Sequence, residues 1–528
     1  MDKVAFGTGG LRGIMGDEPG NINGKVIQYV THGLAKVILS SDAPKSVGIA
    51  YDTRFNSAEF AQITCEVLSA FGIVVFVFDK PMPTPVLSHA IRIMRLGWGV
   101  CITASHNPKE YNGYKVYDRH GVQVTDRIAT EITESINSVD ASEKISPPDQ
   151  ELIKHFNPDI FEEYINQIVA YTLLPTPYSL LPTPCSLPPT PCSPLPTPYS
   201  LTTNHYPLVY SALHGAGANA VPIVLERLGY DPICIQQDPD GAFGGLKTPN
   251  PEEPVVYDKA IIEAGGINAK LILATDPDCD RVGVMVRTKQ GYELLSGNQV
   301  GALLIDFLAK TRGAQKGDTV ISTIVSGKLG ELVSKEYGLE FVRLLTGFKY
   351  IGEYIVNLPD DKNFFFGYEE SYGFLAGDGA RDKDAVIACA LIVKMAEYYD
   401  AKEMTLLDRL LELSKKNGYC LETLTSLNIP QTKQREIMDN LREAMSIDGV
   451  TGTEDYLHGS SGLPPADVIK LFFAGSEETP YTEAWAAIRP SGTEPKLKLY
   501  TGVHAGTYET AKEALGALTD KLLVEIGV

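Results

Sequence analysis

The chain has 528 residues, 44% hydrophobic and 21% charged, the composition of a soluble globular protein with room for about three or four separately cored domains. Its formal net charge of −20 argues against a general nucleic-acid or anionic-membrane binder, which needs a basic surface, but leaves space for a few cleft cations that meet a phosphorylated small molecule. The eight cysteines (65, 101, 185, 192, 234, 279, 389 and 420) form no C-x-x-C pair, which points to reduced thiols rather than a zinc cluster or disulfide framework. The opening Met1–Gly7 lacks the apolar stretch of a signal peptide, and no apolar run approaches the roughly 18–20 residues of a membrane span; a cytoplasmic protein is expected.

In chain order, Val47–Tyr51 is predicted as a strand and Ala58–Phe71 as a helix with Phe60, Ile63, Val67 and Leu68 on one face. Ile73–Phe78 and Gly97–Thr103 are further apolar strands. Continuous apolar strands separated by helices predict a largely parallel sheet covered on both faces. The rhythm returns at Pro207–Leu213, Leu271–Ala274, Thr319–Ile324 and Phe364–Phe366. The last hundred residues differ, with a helical segment at Gln434–Met445, strands around Asp467–Phe473 and Lys496–Val503, and a terminal helix from Thr507. The fold expected is α/β, three tandem related α/β domains plus a smaller C-terminal α+β domain around a central cleft. The bounds expected are 1–170, 205–296, 297–417 and 418–528.

Residues 173–200 break the rhythm. They are four seven-residue units, LLPTPYS, LLPTPCS, LPPTPCS and PLPTPYS. Two or three prolines per unit rule out a coiled coil and favour extended or polyproline-II backbone. Such runs can dock on SH3- or WW-type modules, but an insertion in a linker spanning 171–204 is the expectation.

Four loops carry the chemistry. Thr103-Ala-Ser-His-Asn-Pro-Lys-Glu-Tyr-Asn-Gly-Tyr-Lys115 follows a buried strand, so Ser105 is expected at the carboxyl end of a sheet, where α/β enzymes place their sites; a plain polar turn is the alternative. Asp276-Pro-Asp-Cys-Asp-Arg281 offers three alternate carboxylates that can converge on one hard cation. An EF-hand is excluded, because Arg281 and Arg287 stand where Gly and Glu are needed, and magnesium fits best. Gly367-Tyr-Glu-Glu-Ser-Tyr-Gly373 suits either a grip on vicinal sugar hydroxyls or a capped helix start. Arg489-Pro-Ser-Gly-Thr-Glu-Pro-Lys-Leu-Lys498 is either an anion nest or a polar turn. Neither a Walker loop nor a G-x-S-x-G elbow occurs in the chain. The Gly-rich Phe6–Gly13 lies too near the start to follow a strand as a dinucleotide fingerprint would.

These four strings, in this order, resemble the α-D-phosphohexomutase superfamily over almost the whole chain, from Phe6 to the Arg489 loop. The opening F-G-T-G-G-L-R-G and the R-P-S-G-T-E-P-K-L-K string are most similar to its phosphoglucomutase and phosphopentomutase-like branch. The resemblance implies an isomerase that moves a phosphoryl group between C1 and C6 of a sugar phosphate. Glucose phosphate is the expected substrate and glucose 1,6-bisphosphate the intermediate and activator. Mannose or pentose phosphates, or a bisphosphate synthase reaction, are the alternatives. By the same resemblance Ser105 is the phosphorylated serine and, with Asp276, Asp278 and Asp280, a ligand of Mg2+. Arg12, His106 and Lys115 stand near the moving group, and Lys349 is a candidate acid/base. Arg281 closes the metal loop. Glu369 and Ser371 bind sugar hydroxyls, while Arg489, Ser491, Gly492 and Thr493 bind the idle phosphate. Partners are limited to small sugar phosphates, with no nucleic acid and no membrane; no oligomeric state is implied.

Overall fold

The computed structural model describes residues 10–140, 145–173, 206–443, 447–476, 479–491 and 496–527. The proline-rich units beyond Leu173, with Cys185 and Cys192, lie outside the described residues, as do Gly492 and Thr493.

Four sheets follow one another along the chain. The first has six strands, in the order Leu11–Ile14, Tyr111–Asp118, Trp98–Ile102, Ser46–Tyr51, Val74–Val77 and Ile153–His155. The last four of these run parallel, and Tyr111–Asp118 pairs antiparallel with Trp98–Ile102. The central strands are buried on both faces because helices cover both: every residue of Trp98–Ile102 is buried, as its unbroken apolar run predicts. The second sheet has five strands, in the order Gly291–Leu295, Val282–Thr288, Leu271–Thr275, Leu208–Ser211 and Ile233–Ile235. The third has four, Glu340–Leu344, Asp318–Thr323, Asn363–Tyr368 and Phe374–Leu375. Each of the three therefore carries antiparallel strands beside a parallel centre, a mixture that the apolar runs alone do not reveal.

The fourth sheet is antiparallel throughout, in the order Tyr419–Asn428, Lys496–Ala505, Glu483–Pro490, Ile469–Ala474 and Gly452–Asp455. Three of its strands escape the sequence reading, which expects only the two around 467–473 and 496–503. The helices Gln431–Glu443 and Tyr508–Glu525 cover one face. The other face is left for the cleft, which is why its side chains include Arg489 and Lys498, paired directly across strands.

The apolar interior is divided unevenly. One cluster runs continuously from Ala50 and Leu87 through Leu225 and Leu273 to Leu303, Val386 and Leu413, and so joins the first three sheets. The fourth sheet has its own cluster around Ile469, Ile488, Leu499 and Leu518. A small seam of Ile324, Val325, Leu345, Tyr456, Val468, Ala487 and Tyr500 connects it to the third. Cys65, Cys101, Cys279 and Cys389 are buried free thiols, and Cys234 and Cys420 are half-buried. Among the described residues no helix is long and apolar enough to cross a membrane.

Candidate active site

A cleft of about 720 Å³ is lined by strand residues of the first and fourth sheets and by the loops that adjoin the second and third. Ser105 lies just past the strand Trp98–Ile102 and next to the cleft-lining His106, 1% exposed and with a left-handed φ of 52°. Its hydroxyl donates to Asp276 Oδ2 at 2.7 Å and stands 3.2 Å from His106 Nδ1. Its N–H donates to Thr103 Oγ1 at 2.8 Å.

Asp276, Asp278 and Asp280 follow the buried strand Leu271–Thr275 and are essentially without exposure. One oxygen of each lies within 4.8 Å of the others. Asp276 Oδ1 accepts the N–H groups of Asp280 and Arg281, which folds the loop around its first carboxylate. Lys115 Nζ donates to Asp278 Oδ2 at 2.7 Å and Asp280 Oδ2 at 3.0 Å. The second oxygens, Asp278 Oδ1 and Asp280 Oδ1, are buried and have no hydrogen-bond partner. Buried carboxylate oxygens need a partner, and an all-oxygen set of this kind fits a hard divalent cation.

Burial and neighbouring charge act on this set in opposite directions. Burial and the two neighbouring carboxylates push Asp276 well above the usual carboxylate range. Burial acts on Asp280 in the same direction, but Lys115, Lys383 and Arg281 outweigh it and hold its pKa below that range. Burial opposes the Lys115 ammonium, yet Asp278 and Asp280 prevail and its pKa rises. Burial, with Arg281 and Arg12 nearby, keeps the His106 imidazole neutral well below its ordinary pKa. Arg12, on an edge strand, donates to Asn107 Oδ1 at 3.0 Å, while its Nε is buried without a hydrogen-bond partner.

On the far side, Glu369 Oε1 accepts the Gly347 N–H at 2.8 Å, which ties the 367–373 loop to the neighbouring Thr346–Phe348 turn. Glu370 Oε2 accepts from Thr323 Oγ1 at 2.9 Å. This loop leads into the short strand Phe374–Leu375 and the next helix begins only at Ala385, so it is no helix start. Arg489 and Lys498 sit side by side on the fourth sheet with Ser491 beyond them, all lining the cleft.

Models of phosphoglucomutase/phosphomannomutase α/β/α domains I, II and III match residues 3–143, 198–291 and 296–414. A Staphylococcus haemolyticus phosphoglucomutase is 34% identical over 97% of this chain and 92% of its own length. The chain belongs to the phosphoglucomutase/phosphomannomutase family. It is therefore an enzyme, a sugar-phosphate mutase of the phosphohexomutase class. A Staphylococcus aureus phosphoglucomutase is 32% identical over 98% of this chain and 92% of its length. Solved structures share the fold. A Burkholderia thailandensis phosphoglucomutase/phosphomannomutase family protein has a TM-score of 0.71 at 18% identity, over 99% of this chain and 96% of that one. The Paramecium phosphoglucomutase parafusin, in an open form, has a TM-score of 0.70 at 16% identity, over 99% and 94%.

Within this family member the cleft gathers Arg12, His106, Lys115, Arg281, Glu369, Ser371, Arg489 and Ser491, with Ser105 and the three aspartates beneath. Lys349 is the exception. Its ammonium donates to Asp126 Oδ1 at 2.6 Å, its side chain is 3% exposed, and it does not line the cleft. The first helical turn after Gly347 turns Phe348 to the cleft and Lys349 onto the first turn of the helix Asp126–Ser138. Lys383, by contrast, does reach the cleft, where its amine stands 3.3 Å from Asp280 Oδ2. The sequence signal that could have found it is the charged run Arg381-Asp-Lys-Asp384 before the apolar helix Ala385–Asp400, which Asp384 caps. Lys498, two residues past Lys496, is placed beside Arg489 in the cleft lining by its cross-strand pairing.

Proposed function

We propose that the chain interconverts glucose 1-phosphate and glucose 6-phosphate through a phosphoserine at Ser105 and a glucose 1,6-bisphosphate intermediate, in the cytoplasm, with Mg2+ held by Asp276, Asp278, Asp280 and Ser105. The observation that carries this reading is the Ser105 hydroxyl 2.7 Å from a buried three-carboxylate loop, on a cleft whose other side presents the Arg489–Lys498 pair. Bound there, Mg2+ would supply positive charge against the phosphoryl group in transfer.

Phosphoryl transfer needs positioning and charge neutralisation more than covalent help. Phosphorylated Ser105 gives its phosphoryl group to a free sugar hydroxyl: the Oγ–P bond breaks, a new O–P bond forms, and the hydroxyl proton leaves to a base in the cleft. The bisphosphate then reorients and returns its other phosphoryl group to Ser105. Arg12 and Lys115 spread the charge on the moving group. His106, neutral and within reach of Oγ, can exchange the proton that Ser105 carries whenever it is unphosphorylated. Glu369 and Ser371 fix the sugar through its hydroxyls. Arg489, Lys498 and Ser491, with Gly492 and Thr493, hold the phosphate that is not reacting, in both orientations of the intermediate. Lys383, rather than Lys349, is the amine placed to neutralise charge between metal loop and sugar.

A coupled assay for glucose 6-phosphate from glucose 1-phosphate, with and without bisphosphate primer, tests the reading. Primer-stimulated turnover without release of inorganic phosphate is expected. Free phosphate as the main product would make the protein a phosphatase, and a demand for a separate phosphoryl donor would make it a bisphosphate synthase. A panel of mannose and pentose 1-phosphates run beside glucose 1-phosphate tests the substrate.

A further inference from the structure

The loop that presents Ser105 is held from behind by one guanidinium. Arg54 belongs to Asp52-Thr-Arg-Phe55, directly after the strand Ser46–Tyr51, and is 3% exposed. Its Nη1 donates to the carbonyl oxygens of Pro108 at 2.8 Å and Tyr111 at 3.1 Å. Its Nη2 donates to the carbonyl oxygens of Asn107, at 2.6 Å, and of Ser105 itself. Its Nε faces Asp52 Oδ2 at 3.2 Å. The Phe243 ring, from the second sheet's part of the chain, lies 5.0 Å from the guanidinium carbon.

Asp52 completes the hold from the other end. It accepts from Thr103 Oγ1 at 2.6 Å, from Ser57 Oγ at 2.7 Å and from the Arg54 N–H at 3.0 Å. Thr103 Oγ1 in turn accepts the Ser105 N–H. Both main-chain polar groups of Ser105 are thus tied to one buried ion pair, its N–H through Thr103 and Asp52 and its C=O directly to Arg54. The residue so tied has the left-handed φ of 52°, which a non-glycine residue keeps only where its surroundings over-determine it. Arg54 does not line the cleft, so its hydrogen bonds reach the chemistry through the loop.

We propose that Arg54 is a positioning residue for phosphoryl transfer: by drawing four carbonyl oxygens of the 105–111 loop toward itself, with Asp52 and Thr103, it fixes the Ser105 backbone and thereby the reach of Oγ to the aspartate loop. The proposal rests on the reading of Ser105 as the phosphorylated nucleophile. In a trans peptide the C=O and N–H point in opposite directions, so the hold on the Ser105 carbonyl also turns the His106 N–H away from Arg54. The guanidinium is suited to this because it is a flat fork of five donors that cannot lose its charge. A lysine ammonium keeps the charge but cannot span four acceptors in one plane.

The experiment is Arg54→Lys, compared with wild type for kcat and KM on glucose 1-phosphate, for near-UV circular dichroism, and for a phosphate-sized mass increment on Ser105. A folded variant whose kcat falls by about 10²-fold while KM moves by less than about threefold is expected, the pattern of a misplaced reacting group rather than of lost binding. Added guanidinium should restore part of the turnover of Arg54→Ala. A folded Arg54→Lys with wild-type kcat, or one in which KM carries the loss, overturns the proposal. If Arg54→Lys does not fold, the double variant Asp52→Asn, Arg54→Met, which removes both buried charges together, is read by the same criteria. Failure of both to fold makes Arg54 a folding residue and also overturns the proposal. A wild-type enzyme that turns over without ever carrying phosphate on Ser105 refutes the phosphoserine reading instead, and the two failures are told apart by mass alone.

Discussion

Ser105→Ala separates the nucleophile from the scaffold. The substitution deletes the hydrogen bond to Asp276 Oδ2 and the approach to His106 Nδ1. A buried hydrogen bond to a charged acceptor is worth about 2 kcal/mol, a loss that a chain with such large apolar clusters survives, so the variant is expected to fold. Catalysis should fare differently. Without Oγ there is no atom to carry the phosphoryl group, and a loss of at least about 10⁴-fold, or roughly 5.4 kcal/mol of transition-state stabilisation, is expected. Ser105→Thr refines the test because it keeps the hydroxyl. At a φ of 52° a β-branched residue is an outlier. Strain of about 2 kcal/mol, if it falls wholly on the transition state, slows turnover about thirtyfold. The assay is coupled glucose 6-phosphate formation with primer, together with intact mass. Wild type should show a phosphate-sized increment that Ser105→Ala lacks. Mutase turnover near the wild-type rate in Ser105→Ala would refute the reasoning, and an unimpaired Ser105→Thr would refute the argument from backbone strain.

Asp278→Asn removes one charge from the three-carboxylate loop, so Mg2+ affinity and rate should fall together; chelator-treated wild type that stays fully active without added metal counts against this. Lys498 is pulled down to about 8, first by burial and then by Arg489. Its cation is therefore present below about pH 8 and lost above it, so kcat/KM should decline through that pH, and Lys498→Arg should move the decline to higher pH; identical profiles speak against a role for Lys498. Asp306 is buried and accepts from Arg409 Nε at 2.9 Å, Arg409 Nη2 at 2.7 Å and the Tyr337 and Tyr399 hydroxyls. Asp306→Asn should cost about 1.5–3 kcal/mol by taking the buried carboxylate from Arg409, which keeps Glu412 as its anionic partner, read as a lower melting temperature with unchanged specific activity. Burial opposes ionisation of Asp306, but Arg409 and the two tyrosines prevail and hold its pKa at about 2. The wild-type network thus stabilises the fold above the ordinary carboxylate range near 4 and weakens as pH falls through about 2. Deleting residues 180–200, three of the four proline-rich units, should leave turnover and melting nearly unchanged, since closure entropy depends only slowly on loop length; a large loss in either would show that the segment packs against the enzyme.

What the sequence made legible was whatever depends on local pattern. Unbroken apolar runs such as Trp98–Ile102 and Leu271–Thr275 marked the central strands, and the polar loops after them marked the site, because a parallel α/β sheet exposes its strand ends to ligands. The alternate aspartates of the 276–280 loop announced a cation site by charge alone. Pairing partners were not legible. Glu483–Pro490 mixes apolar and charged residues and so reads weakly as a strand, yet it is the middle strand of the fourth sheet. Direction was not legible either. The turn at Gly347 decides that Lys349 faces Asp126, and the loop before the helix Ala385–Asp400 decides that Lys383 faces the cleft. Arg54 was invisible for the same reason, since its partners are main-chain carbonyls more than fifty positions away.

The uneven division of the apolar interior has a consequence for how the enzyme opens. The first three sheets share one continuous cluster, so none of them can tilt against another without exposing side chains that have no other cover. The fourth owns its cluster and meets the third across a seam of seven buried residues. Admitting a substrate and turning a bisphosphate end for end both require the wall bearing Arg489 and Lys498 to retreat from Ser105. That wall meets the rest through the seam and through Cys420, which packs on the first cluster. Parting that seam would leave the serine and the aspartate loop together in the parts of the chain that the continuous cluster joins.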